Sequence, residues 1–177
     1  MRGGMNPVRP TSSKLLQTFF NIIGPAQDGA FLDLFSGTGR VAFEAVKKGF
    51  DCVIAVEIER KACSSIRSQA EKTPDGLALE ILCMDVRRAM VSLARKSRKF
   101  SVIFADPPYE NGWVRELLRG DAFLWIPLLE EEGVFVLEHS IREKIPENLV
   151  GLTVRTRQYG DSCLSFFSLA GRESESA

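Results

Sequence analysis

The chain has 177 residues, of which 45% are hydrophobic and 26% are charged, which is typical of one globular domain that buries its own core. Lys plus Arg and Asp plus Glu both number 23, so the formal net charge is zero. This balance excludes a uniformly basic nucleic-acid-binding protein, and any such binding requires a local patch. The sequence has neither an apolar stretch of about 18 residues nor a secretory-type leader, so we expect a cytoplasmic protein.

The cysteines and the histidine suggest no metal chemistry. Cys52, Cys63, Cys83 and Cys163 are far apart, and His139 is the single histidine. Because no pair has the short spacing of a zinc motif, the pattern predicts reduced thiols and no metal site. We expect His139 to be structural, since no nearby serine or cysteine suggests a triad.

The two ends of the chain differ from its middle. Residues 1–10 contain Gly and Pro interruptions and two arginines without an acid, which indicates a flexible basic arm. Residues 11–170 form the predicted folded domain, which begins with a helix over 14–23 whose apolar residues recur at helical spacing. Residues 171–177 are polar and acidic and are expected to be disordered.

A glycine-rich turn follows the first predicted strand. The strand covers 30–35, and Ser36-Gly37-Thr38-Gly39 leads into a helix over about 40–48. Gly37-x-Gly39-x-x-Ala42 satisfies the dinucleotide-binding pattern, so a nicotinamide-dependent oxidoreductase is one hypothesis. Asp33 argues against it, because a carboxylate in that strand would repel a pyrophosphate and suits a cationic or amino-bearing ligand better.

Two further acids follow the next two predicted strands. Glu57 closes a strand over 52–56 and lies 20 residues after Gly37, a spacing that suits an acid that binds ribose hydroxyls. Alternatively, Glu57 is a solvated acid at the start of the next helix. Asp85 follows a strand over 78–82 and either binds an adenine amino group or caps the helix over 86–96.

That helix and its end carry the densest basic cluster in the chain. A solvated face with cations near a helix C-terminus explains most of the cluster, and contact with RNA is the alternative. Its members are Arg87, Arg88, Arg95, Lys96, Arg98 and Lys99.

The motif Asp106-Pro107-Pro108-Tyr109 ends a strand predicted over 100–105. In open α/β sheets, ligands bind at the carboxyl ends of the strands. The Asp106 carboxylate and the Pro107 carbonyl could accept both hydrogens of an exocyclic amine, and Tyr109 could stack on the base that carries it. The alternative is a strand followed by a tight turn, so the motif alone does not decide the function.

The sequence after Tyr109 predicts a lid, a strand and a hairpin. A helix is expected over 113–129, broken near Gly120 and Pro127, followed by a strand over 133–138. Trp113 is either a platform beside the base or a hydrophobic anchor. Strands over 152–159 and 162–169 flank Gly160-Asp161, the pattern of a β-hairpin.

This order of strands and acids resembles class I S-adenosylmethionine-dependent methyltransferases. The resemblance implies an α/β, Rossmann-like fold with a seven-stranded, mostly parallel sheet, an antiparallel last strand and helices on both faces. More narrowly, the chain is similar to the RsmD family, which methylates a guanine N2 in small-subunit (16S) ribosomal RNA. The segments that carry this similarity are Arg9-Pro10-Thr11, Phe19-Phe20-Asn21-Ile22-Ile23, Asp33-Leu34-Phe35-Ser36-Gly37-Thr38-Gly39, Phe43-Glu44-Ala45, Asp106-Pro107-Pro108-Tyr109 and Tyr159-Gly160-Asp161.

The resemblance also implies roles for individual residues. The methionine part of S-adenosylmethionine would contact Asp33, Phe35, Gly37 and Gly39. Glu57 would hold the ribose, Ile58 would also contact the cofactor, and Asp85 with Val86 would meet the adenine. Asp106, Pro107, Pro108 and Tyr109 would hold the target amine, and Arg9, Thr11 and Trp113 would bind the RNA. No metal is implied, and we expect a monomer.

The start of the chain departs from this family. Relatives usually carry a longer basic segment before Arg-Pro-Thr, whereas eight residues precede Arg9 here. We therefore expect the protein to use a preassembled ribosomal particle or to act on another substrate. Methylation of adenine N6, in DNA or in another RNA, is the alternative activity.

Overall fold

The computed structural model describes residues 13–25, 29–73, 78–119, 124–146 and 149–170. The predicted arm over 1–10 with Arg9, the next candidate residue Thr11, and the predicted tail over 171–177 lie outside these residues. The strands are β1 Ala30–Leu34, β2 Cys52–Glu57, β3 Leu79–Cys83, β4 Phe100–Ala105, β5 Leu129–Ser140, β6 Leu152–Tyr159 and β7 Ser162–Leu169. The helices are α1 Ser13–Ile23, α2 Arg40–Lys47, α3 Arg60–Ala70, α4 Val86–Arg95 and α5 Trp113–Leu117, with a 3-10 turn at Ile126–Leu128.

All seven strands form one sheet in the order β3-β2-β1-β4-β5-β7-β6. The pairs among β1 to β5 are parallel, and β7 is antiparallel to both β5 and β6. The order reverses between β1 and β4, which creates a crevice at their carboxyl ends. The Rossmann-like class I methyltransferase fold expected from the sequence is confirmed.

Two apolar layers cover the sheet. Alternate residues of a strand point to opposite faces, so Phe31 packs with α1, α2 and α3, whereas Leu32 and Leu34 pack with α4 and α5. On the first face, the ring of Phe19 lies 4.7 Å from that of Phe104. Within the described ranges, no helix is long and apolar enough to cross a membrane.

The segment between β4 and β5 differs from the sequence prediction. Instead of a helix over 113–129, the described part contains the five-residue α5 and the 3-10 turn, and β5 begins at Leu129. Trp125 explains this ending: its ring is fully buried, stacks on Phe135 at 4.4 Å, and its indole N–H donates to the Leu117 carbonyl at 2.8 Å. Pro127 has no amide hydrogen to continue a helix.

A bulge near the start of β5 depends on Gly133. The register runs from Phe100 opposite Leu129 to Val102 opposite Val134, so β5 carries extra residues there. A Cβ atom at Gly133 would lie 2.9 Å from the Phe100 carbonyl oxygen and 2.9 Å from Leu129 Cδ1. Because backbone atoms cannot move aside cheaply, this close approach requires glycine.

We expect Gly133→Ala to lower the free energy of unfolding by about 1–3 kcal/mol, since it overpacks the bulge. Gly160→Ala is the comparison: its φ is +62° but an added Cβ meets nothing within 4 Å, so backbone strain alone costs about 1–2 kcal/mol. Urea unfolding measures both. A Gly133→Ala protein as stable as wild type would show that the bulge accommodates a methyl group.

Candidate active site

The acids singled out by the sequence gather at one edge of the sheet. Asp33 lies near the end of β1, Glu57 ends β2, Asp85 follows β3 and Asp106 follows β4. Because these parallel strands end beside one another, the acids converge at the β1/β4 crevice. This is the position at which open α/β sheets bind ligands.

The turn after β1 is bent sharply back over the sheet. Phe35, Gly37 and Gly39 have φ angles of +83°, +54° and +78°, and the amides of Phe35 and Ser36 both donate to the Val56 carbonyl, at 3.2 and 2.9 Å. A Cβ at Gly39 would lie 2.9 Å from the Ile66 side chain, whereas one at Gly37 meets nothing within 4 Å. Gly39 therefore serves packing, whereas the space beside Gly37 is open.

Glu57 links this turn to β2. Its Oε2 accepts the Gly37 amide at 2.7 Å, and its Oε1 accepts the Glu59 amide at 2.7 Å. Each carboxylate oxygen has a second lone pair, so both can still accept a hydroxyl. Ile58, the next residue, is 67% exposed and presents an apolar surface beside this carboxylate.

Asp33 is the most perturbed acid of the site. It is 1% exposed, and its Oδ2 has no hydrogen-bond partner among the described residues. Burial, together with the charges of Asp106 and Glu57 and against hydrogen bonds from Ser36 and Ala42, raises the pKa of Asp33 from 3.8 to about 7. A buried carboxylate that lies among like charges, with one oxygen lacking a hydrogen-bond partner among the described residues, favours a cationic ligand.

Asp85 caps α4, one of the two roles that the sequence left open. Its Oδ1 accepts the amides of Arg87 and Arg88 at 3.0 and 3.3 Å, and its Oδ2 lies 3.2 Å from Arg87 Nη1. The Val86 side chain is buried in the core, so only its backbone is a candidate for ligand contact.

The Asp106-Pro107-Pro108-Tyr109 motif follows β4 directly. Pro107 is buried, whereas Asp106 and Tyr109 are half-buried. The Tyr109 hydroxyl donates to Glu138 Oε1 at 2.9 Å and lies 2.9 Å from Ser162 Oγ. Burial raises the pKa of Tyr109, so the phenol stays protonated. The contacts of its hydroxyl with Glu138 and Ser162 hold the ring in place.

Glu138 and Ser162 are absent from the sequence-predicted set. Glu138 is a buried charged residue near the end of β5, and an acid that closes an apolar strand at this edge is the signal that could have identified it. Ser162 begins β7, and nothing in its local sequence distinguishes it. Its proximity follows from the antiparallel direction of β7.

Trp113 lies beside the turn after β1. Its ring meets the Phe35 ring edge-on at 4.8 Å, and the Arg87 guanidinium lies 4.3 Å from its centroid. Arg87 also forms a bidentate ion pair with Glu116. These contacts tie α5 to α4 and to the acid-lined turn. The sequence identified Arg87 only as a member of the basic cluster, and it did not identify Glu116.

His139 takes no part in this cluster of acids. Its Nδ1 lies 3.0 Å from the Ser140 carbonyl and its Nε2 2.8 Å from Ser165 Oγ. Since a carbonyl only accepts, Nδ1 carries the proton and Nε2 accepts from the serine. Burial lowers the pKa of His139, which keeps it neutral. Among the described residues, no group of three His, Cys, Asp or Glu side chains could hold a metal.

The raised pKa of Asp33 makes stability depend on pH. Between its usual value of 3.8 and about 7, the folded protein holds a proton that the unfolded chain releases, so this contribution falls as pH rises, by up to about 1.4 kcal/mol per unit. Asp33→Asn removes the slope. We expect the variant's stability relative to wild type to grow between pH 4.5 and pH 7.5 in urea unfolding.

The exposed Asp51→Asn makes the same chemical change at the surface and is the control for this comparison. If Asp33→Asn ran parallel to wild type, Asp33 would not titrate in this window and the cationic preference of the site would lose its basis.

Comparisons with known proteins bear on the identity of this site. A family model described as "Conserved hypothetical protein 95" matches residues 3–168. The chain is 34% identical to the "Putative rRNA methyltransferase YlbH" of Bacillus subtilis, over 92% of this chain and 89% of that protein. It is 25% identical to the "Ribosomal RNA small subunit methyltransferase D" of Escherichia coli, over 78% and 68%.

A solved structure extends the similarity to the fold. An RNA methyltransferase from Salinibacter ruber, in complex with S-adenosyl-L-homocysteine, superposes with a TM-score of 0.69 over 95% of this chain and 98% of its own, at 15% identity. The match over residues 3–168, together with 34% identity to YlbH over 92% of this chain, shows which family the chain belongs to. The chain belongs to the RsmD family of S-adenosylmethionine-dependent methyltransferases.

Proposed function

We propose that this protein transfers the methyl group of S-adenosylmethionine to N2 of a guanine in small-subunit ribosomal RNA. The observation that carries the proposal is the position of Asp106-Pro107-Pro108-Tyr109, which adjoins the acid-lined turn after β1 and whose tyrosine is fixed by Glu138. The two relatives that align over most of this chain are named as rRNA methyltransferases, which favours ribosomal RNA over other nucleic acids as the substrate.

The residues at the turn suit the cofactor. S-adenosylmethionine supplies a methyl group activated by a sulfonium, and it also carries an ammonium group. Asp33, whose buried Oδ2 has no hydrogen-bond partner among the described residues, offers the negative charge that these cations need. Gly37 leaves room for close approach, Glu57 can accept ribose hydroxyls, and the exposed Ile58 can pack against the cofactor's ring.

The motif after β4 would orient the target amine. The Asp106 carboxylate and the Pro107 carbonyl accept its two hydrogens, which favours a pyramidal nitrogen with an available lone pair. Tyr109 stacks on the base, with its ring held by the bonds of its hydroxyl. The protein thus contributes positioning and exclusion of water, effects worth up to about 7–11 kcal/mol in well-oriented reactions.

The base and the RNA are the finer parts of the proposal. An Asp-Pro-Pro-Tyr motif also fits the amine of adenine, so adenine N6 is the alternative target. We infer that the substrate is the ribosomal particle and that the protein acts in the cytoplasm as a monomer. In this proposal Arg9, Thr11 and Trp113 bind the RNA.

The decisive experiment is tritium-methyl incorporation from labelled S-adenosylmethionine into undermodified 30S particles, with free ribosomal RNA and DNA in parallel. We expect N2-methylguanosine from the particles after nucleoside analysis. N6-methyladenine, or label in DNA, would overturn the guanine assignment while keeping amine methylation. Failure of the protein to label any nucleic acid would overturn the proposal as a whole.

Asp106→Asn tests the amine-binding role. Asparagine keeps the shape of aspartate but replaces one acceptor with a donor, so we expect methyl transfer to fall by about 100-fold or more. Equilibrium binding of S-adenosylmethionine should change far less. Asp51→Asn, an exposed substitution with the same change of charge, should retain wild-type rates; an equal loss in both variants would remove Asp106 from the mechanism.

Tyr109 separates stacking from anchoring. Tyr109→Ala removes a stacking interaction worth about 1–3 kcal/mol, so KM for the RNA substrate should rise between several-fold and about 100-fold. Tyr109→Phe retains the ring but loses the bonds to Glu138 and Ser162, and a small rise with a slight loss of stability is expected. Steady-state kinetics would contradict stacking if the alanine variant matched the phenylalanine variant.

A further inference from the structure

The outer face of α4 carries a basic groove that the proposed active site does not use. Its residues recur at the spacing of one helical face, whereas Ala89, Met90 and Leu93 on the opposite face are buried in the core. The groove has a volume of about 490 Å³ and is lined by Arg87, Arg88, Val91, Ser92, Arg95 and Lys96.

The groove is locally positive, although the formal net charge of the whole chain is zero. The whole chain balances 23 cations against 23 acids, yet no acid occurs between Val86 and Lys99. Arg87 is already engaged with Asp85 and Glu116. Arg88, Arg95 and Lys96 are exposed and form no ion pair within the described part of the chain.

Helix stability accounts for only part of this pattern. Arg95 and Lys96 lie at the C-terminus of α4, where a cation interacts favourably with the helix dipole. Arg88 lies in the first turn, where the same dipole disfavours a cation. Its position therefore costs stability, which is the reason to look for a ligand.

The chemistry of the groove fits a nucleic-acid backbone. Arg88 and the pair Arg95 and Lys96 lie about two turns, or about 11 Å, apart along the helix, so their charges can contact different phosphates of one strand. Two further residues lie between them: Ser92, which carries a hydroxyl, and Val91, an apolar residue that is 38% exposed. The groove begins beside the cap residue Asp85, at the sheet edge that carries Asp106, so a strand bound there leads toward the site.

We propose that the outer face of α4, formed by Arg88, Val91, Ser92, Arg95 and Lys96, binds the phosphate backbone of the RNA that flanks the methylated nucleotide. This inference rests on the proposed function and adds to it the surface that supplies electrostatic affinity. It also explains how a chain of zero net charge can hold a polyanion.

The test compares two triple variants with equal changes of charge. Arg88→Gln/Arg95→Gln/Lys96→Gln neutralises the groove. Lys72→Gln/Arg155→Gln/Arg157→Gln neutralises three exposed cations outside it, two of them on the edge strand β6 at the far side of the sheet. RNA affinity is measured on a 16S ribosomal RNA transcript across a salt series, and S-adenosylmethionine affinity by calorimetry.

We expect the groove variant to bind RNA about 10-fold or more weakly and to reduce the slope of log K against log salt by about two. The control should change the affinity less, and both should keep cofactor binding. Equal losses in the two variants would overturn the surface. If the wild type methylates no RNA, the proposed function fails, and the surface falls with it.

Arg88→Gln alone gives a second readout. Since a cation in the first turn of α4 is unfavourable, this variant should unfold at the same temperature as wild type or higher while its RNA affinity falls. A loss of stability with unchanged RNA affinity would assign Arg88 a structural role and overturn its part in the groove.

Discussion

Burial of the Asp33 carboxylate is the constraint on which the site depends. A charge in an apolar sheet is costly unless it is paired, and one oxygen of this group has no hydrogen-bond partner among the residues that the structure describes. The turn itself holds Phe35 at φ +83°, an unfavourable angle for a bulky residue. The bond from the Gly37 amide to Glu57 keeps the turn in this position. Packing on both faces of the sheet offsets these costs.

Helix α4 combines several structural roles. Its inner face fills the core, its first turn is capped by Asp85, and Arg87 joins it to Trp113 and Glu116 of α5. A helix that connects two strands thus also fixes the segment after the Asp-Pro-Pro-Tyr motif. Because the Trp113 ring contacts the Phe35 ring, a movement of α5 would alter this contact at the turn after β1.

Local patterns in the sequence were sufficient for much of the architecture. The bounds of β4, β6 and β7 match the predicted spans, since prolines end β4 and Gly160-Asp161 separates the hairpin strands. The helix expected over 113–129, with breaks near Gly120 and Pro127, begins at Trp113 but ends already at Leu117. The sequence did not predict this early end because the burial of Trp125 and its bond to Leu117 are tertiary effects. Tyr109 and Glu138 are separated by 29 positions, and no period in the sequence relates them. Asp85 was ambiguous because capping and ligand binding require the same residue type.

The direction of β7 has a consequence for the order in which the protein becomes complete during synthesis. Because β7 is antiparallel, its first residue, Ser162, lies at the same edge as the ends of the parallel strands and reaches the Tyr109 hydroxyl. A nascent chain translated through β5 already contains all four acids and Glu138, but it lacks this serine and a neighbour for the outer edge of β5. The tyrosine acquires its full set of contacts only when the last hairpin has left the ribosome and paired.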